Sequence, residues 1–126
     1  MTRSSRTPRR LVVDGETFLW SVRHEHHGEQ GRYEGCREVL TFRRPGALGR
    51  LTVVFERGPG HLLPDGHASS GAVGTPDGAW LNLHEPGSAR ALLDAVRARG
   101  GRVGGDAAEE VDGWTLFPAV AGTRRE

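Results

Sequence analysis

Two histidines, His24 and His26, stand two residues apart at the end of a run in which apolar and polar residues alternate. On an extended strand that spacing puts both imidazoles on one face, where they could share a metal such as zinc. A third ligand could come from His27, His61, His67 or His84, or from Glu25 or Glu85. None of the six histidines falls in HExxH or in a paired Cys-His spacing, and solvent-facing loop histidines explain them better. Zinc is therefore an alternative, and the first expectation is a protein without a cofactor.

A second set of residues suits recognition rather than catalysis. If the strands alternate as their apolar residues suggest, one sheet face carries Leu19, Ser21 and Arg23, then Arg37, Val39, Thr41 and Arg43, then Thr52, Val54 and Glu56. Arg23, Arg37 and Arg43 would rim a small apolar centre at Val39 and Val54. That composition fits a partner protein or an anionic ligand. The plain alternative is a solvated face whose Arg and Glu pair across strands for a few tenths of a kcal/mol each.

The chain excludes more chemistry than it offers. All 17 of its basic residues are Arg, so a lysine Schiff base, a P-loop lysine and a Ser-Lys dyad are impossible. There is no GxSxG, Gly58-Pro59-Gly60 lacks the rest of a dinucleotide fingerprint, and no catalytic residue is assigned. Cys36 is alone, which removes internal disulfides and CxxC sites and fits a reducing compartment. No apolar run approaches the ~20 residues that span a bilayer, and the N-terminus lacks the apolar stretch of a secretory signal. The expected location is cytoplasmic, away from membranes. Arginine without lysine, beside abundant Gly, Ala and Pro, is the composition of a high-GC bacterial genome.

The net charge of +1 conceals an asymmetry. Arg3, Arg6, Arg9 and Arg10 give residues 1–10 a charge of +4, whereas residues 11–123 sum to −4. A basic arm on a mildly acidic body could grip nucleic acid, yet such proteins usually concentrate positive charge on the folded surface. The expected organisation is a disordered arm over 1–10, one domain over 11–120 and a short tail over 121–126.

Four Asp-Gly steps punctuate the chain, at 14–15, 65–66, 77–78 and 112–113. Asp-Gly supplies the positive φ of tight turns, so hairpins are expected. Strands are predicted over 11–13 and 17–23, with Phe18, Trp20 and Val22 inward; 24–35 reads as a loop. The next pair, 36–44 and 50–57, turns Leu40, Phe42, Leu51, Val53 and Phe55 inward. Glu38 shares their parity, which fits only a sheet rim. Residues 58–70 are irregular, and 71–75 with 79–83 form another hairpin. Trp20, Trp80 and Trp114 read as core or rim aromatics.

A helix is predicted after Pro86, because Ala89, Leu92, Leu93 and Val96 form an i, i+3, i+4, i+7 stripe that Gly100 and Gly101 end. Residues 102–110 read as a connector. Residues 111–117 read as a last strand; Asp112 could instead cap a short helix, against which Pro118 weighs.

The resulting expectation is an α+β fold: an antiparallel meander of about five to seven strands with one helix of the C-terminal half packed on one face. The expected function is that of a small non-enzymatic accessory or binding protein using the open sheet face, or the irregular segment 58–70, for an anionic ligand, a protein partner or a second copy of the chain. Two alternatives stand beside it: a metal-binding protein or enzyme built on His24 and His26, and a nucleic-acid-associated protein using the basic arm.

Overall fold

The structure is a computed structural model that describes residues 8–27, 34–63, 72–101, 103 and 106–124, with backbone alone at 26–27, 34–36 and 122–124. Seven strands and two helices follow in the order β1 (Arg9–Val13), β2 (Glu16–His27), β3 (Glu34–Arg43), β4 (Arg50–Glu56), β5 (Ala72–Gly74), β6 (Trp80–Asn82), α1 (Pro86–Ala98), β7 (Ala108–Asp112) and α2 (Phe117–Arg124). A five-stranded sheet runs β1-β2-β3-β4-β7, and β5 and β6 form a two-stranded ribbon. The α+β architecture read from the sequence is thus the architecture of the molecule.

Local chemistry sets the turns. Asp14 and Gly15 both take positive φ, 52° and 82°, the type I′ geometry that matches the twist of the β1–β2 hairpin. At the β5–β6 turn only Gly78 does so, at 97°, and the Asp77 carboxylate accepts from the Ala79 amide to hold the loop. Asp65-Gly66 lies outside the described residues.

The apolar parity holds across the sheet. Val22, Leu40, Val53 and Val111 pair in one cross-strand row, and Trp20, Phe42 and Leu51 in the next. With Val111 half-buried at the margin, these side chains join Phe18, Phe55 and the α1 residues Ala89, Leu92, Leu93 and Val96 in one buried core. Burying Leu92, Leu93 and Val96 contributes about 5–9 kcal/mol in gross terms. The helix starts at Pro86, where the missing N–H is not needed. It ends in a Schellman motif, with Gly101 N–H donating to Val96 and Gly100 N–H to Arg97, Gly100 adopting φ of 90°. Glu16 ties β2 to the layer above through Arg97 at 3.4 Å and to the end of β3 through Arg44 at 3.6 Å.

Three sequence expectations need correction. First, β2 and β3 continue to His27 and from Glu34, so much of the segment read as the 24–35 loop is strand. Its periodicity is hidden because the segment is polar and Gly-containing, with His24 rather than an apolar residue turned inward at its start. Second, the last strand comes earlier, at Ala108–Asp112, and pairs parallel to β4. A parallel pair needs a long crossover; here the chain returns through the β5–β6 ribbon and α1. Third, residues 113–124 are helical: a 3-10 turn at Gly113–Thr115 leads into α2. Asp112 does cap, accepting from the Trp114 amide at 3.0 Å, and Pro118 is tolerated because it falls in the first turn of α2.

Candidate functional site

The face of the five-stranded sheet opposite α1 is built by register. Arg23, Val39, Val54 and Asp112 form one cross-strand row. Ser21, Thr41, Thr52 and Glu110 form the row on one side, and Glu25, Arg37 and Glu56 the row on the other. Leu19 and Arg43 pair further along. The five residues of this face expected to meet a ligand or partner (Arg23, Arg37, Val39, Arg43 and Val54) are therefore on the strands and parity the sequence implied. Val39 and Val54 are 1% and 4% exposed, so the centre is a filled one and not an open apolar patch.

The guanidinium groups are engaged from within. Glu25 accepts from Arg37 Nε at 2.7 Å and from Arg23 Nε at 2.6 Å, while Arg37 Nη1 lies 3.9 Å from Glu56. Partial burial raises the Glu25 pKa, but the hydrogen bonds and charges of Arg37 and Arg23 outweigh it and hold the carboxyl below its ordinary value. Arg37 is raised by its hydrogen bond to Glu25, burial opposing, with Glu25, Glu110 and Glu56 adding charge. An anion at Arg23 or Arg37 would have to displace Glu25. Arg43 is exposed and has no ion pair among the described residues. Charge thus runs across the face, with arginines on β2 and β3 and acids gathering toward β7.

At that acidic end a cleft of about 370 Å³ opens, lined by Val54, Glu56, Arg57, His61, Glu110, Asp112 and Trp114. Trp114 is its anchor. Asp112 caps the turn that carries it, the indole N–H donates to the Glu56 carbonyl at 2.8 Å, and Phe55 meets the ring edge-on at 5.2 Å. Gly113 lets the turn come this close, since a Cβ there would lie 2.5 Å from the Phe55 ring. His61 stacks on the indole at 4.2 Å and 11°. It is presented by a tight loop in which Gly58 and His61 exchange backbone hydrogen bonds, with Gly60 at φ of 77°.

The histidine pair and the arm lie elsewhere. His24 points to the core side, where its Nδ1 hydrogen-bonds Glu38 Oε2. Its side chain is 14% exposed and that of Glu38 is 0%, so Glu38 is a buried carboxylate and not a rim residue. The backbone of His26 continues β2, and its side chain is outside the described residues, as is all of His67. Among the described residues no group of three His, Cys, Asp or Glu is placed to hold a metal. Arg9 and Arg10 belong to β1: the Arg9 guanidinium sits 4.6 Å over the Trp20 ring and donates to the His84 carbonyl at 2.7 Å. Arg3 and Arg6 are outside the described residues.

Sequence reasoning missed the cleft because β7 reads Ala-Glu-Glu-Val-Asp, with one half-buried apolar residue among exposed ones. The available signal was the Asp112 cap before Trp114, which fixes a turn at the strand end.

Fold and cleft together define a sheet-dominated α+β protein, layered by helix on one side, with a recessed acidic corner on the other. No protein family, curated protein or solved structure matches the chain. Among the described residues no helix is long and apolar enough to cross a membrane.

Proposed function

We propose that this is a small cytoplasmic accessory protein that acts by binding, not by catalysis, and that the sheet face opposite α1 receives a partner protein. The observation that carries the reading is the cleft on that face, bounded by Val54, Glu56, Glu110, Asp112 and Trp114. Its volume of about 370 Å³ is in the range of side-chain and small-ligand sites, which run from about 300 to 1,000 Å³. Two features favour a protein over a free anion. The face balances its arginines with Glu25 and Glu56, and its charge is graded from β2 to β7, which orients a partner more than it attracts one ion.

A photo-crosslinking residue placed at Arg43 or Thr52 should capture a discrete protein adduct in the producing cell. The same group at Arg90, on the solvent side of α1, should not. A second copy of the chain would appear as an adduct of twice the mass. Equal labelling from Arg90, or no adduct from Arg43 and Thr52, would remove the reading.

A further inference from the structure

We propose that the cleft between β4, β7 and Trp114 is a binding site for an organic cation, a guanidinium or primary ammonium group. The inference deepens the binding reading by naming what enters the recess. The cavity carries it: two stretches of chain, 54–61 and 110–114, converge there, supplying an aromatic wall (Trp114), an apolar floor (Val54) and polar groups around the rim. Its charge then selects the ligand. Glu56, Glu110 and Asp112 face one guanidinium, Arg57, and one imidazole, His61.

The three carboxylates are not equally committed. Asp112 is engaged by the Trp114 amide, and Glu56 is 3.9 Å from Arg37 Nη1. Glu110 has no hydrogen bond or ion pair within contact distance among the described residues, and only the charge of Arg37 acts on it from the sheet side. Register places it two residues before Asp112 on the same face of β7, and so roughly 6.6 Å along the strand from it. Glu56 is on the neighbouring strand, two residues beyond Val54, the partner of Asp112, so Asp112 lies between the two glutamates, roughly 6.6 Å along the strands from each. A planar guanidinium or an ammonium entering from solvent between Asp112 and one of these glutamates would find acceptors on two sides. Arg37 shows the same pairing from inside the molecule, its guanidinium drawn toward Glu56 at the inner margin of the recess. Among the described residues no three acids and histidines are grouped tightly enough for a metal ion, which turns the choice to a larger, organic cation.

Trp114 supplies the reporter, because its indole N–H is bonded to the Glu56 carbonyl inside the site. In a ¹⁵N-labelled sample, titration with agmatine, or with a blocked Gly-Arg-Gly peptide, should shift the Trp114 indole signal saturably at a Kd below about 1 mM. The Trp80 indole should stay fixed. Tighter binding of the peptide would identify the side chain of a partner protein as the source, and tighter binding of agmatine a free amine. Glu110→Gln should weaken binding at least tenfold, Glu56→Gln similarly, and Glu16→Gln not at all. The inference is overturned if neither probe saturates, if an uncharged citrulline peptide binds as well as the arginine one, or if folded Glu110→Gln binds normally. Crosslinking from Arg43 or Thr52 is scored independently, so loss of the partner face and loss of the cation site are told apart.

Discussion

Glu25 and His24 are neighbours on β2, yet their side chains meet their partners on opposite faces of the sheet. Glu25 faces outward and is one-quarter exposed, where two arginines stabilise its charge. Because its folded pKa is depressed below the ordinary 4.5, its contribution is complete above the unfolded value and is lost as pH falls through the folded one. Denaturant stability measured from about pH 5 to about pH 3 should therefore fall more steeply in the native chain than in Glu25→Gln. His24 and Glu38 instead face the core. Removing one partner leaves a buried carboxylate under-satisfied, so His24→Ala should cost about 1–3 kcal/mol or more. Replacing both by leucine should recover most of that, as exchange of a buried pair for apolar side chains often does. A double-mutant cycle by urea unfolding measures both. Strand parity made the Glu38 orientation legible; its complete burial does not follow from parity and is a product of tertiary packing.

At the scale of elements, α1 was the most legible part of the molecule. Its stripe, its Pro86 start and its glycine stop are independent signals that agree, and Ala89, Leu92, Leu93 and Val96 are all buried. Placing a charge in the centre of that stripe leaves an unpaired carboxylate in the core, so Leu93→Asp should abolish soluble expression. A folded, soluble variant would show that the stripe does not seal the sheet. The 3-10 turn after β7 depends on close approach: Gly113→Ala forces the Phe55 ring to move and should lower stability by about 1–3 kcal/mol, read from the urea midpoint. The turn was half legible. Asp112 and Pro118 are both boundary residues, and only their contact partners decide whether the boundary opens a strand or a helix.

For the whole molecule, the decisive step is the return of the chain to lay β7 beside β4. The β4 edge that β7 covers bears Leu51, Val53 and Val54, and the cleft exists only because β7 stands there. A chain truncated after Gly101 would expose that edge as a long, flat, β-branched template. Such a fragment should aggregate, as size-exclusion chromatography with light scattering would show, whereas removal of residues 125–126 should leave a monodisperse protein. The parallel pairing left no mark on the residues of β7, since its register is imposed from outside by the length of the crossover.

By itself the amino-acid sequence determined the local preferences: hairpins at Asp14-Gly15 and Asp77-Gly78, the inward and outward sets of β2, β3 and β4, the reach of α1, and the chemistry ruled out by a chain without lysine. These follow from steric limits on φ and from two periodicities, which act within a few residues. Tertiary structure alone decided which arginines are already neutralised, that Glu38 is sealed beneath the core, and that Glu56, Glu110 and Trp114 meet in one recess. Those outcomes join residues far apart in the chain, 58 positions in the Trp114–Glu56 hydrogen bond, and no short-range pattern encodes a distance across the sheet.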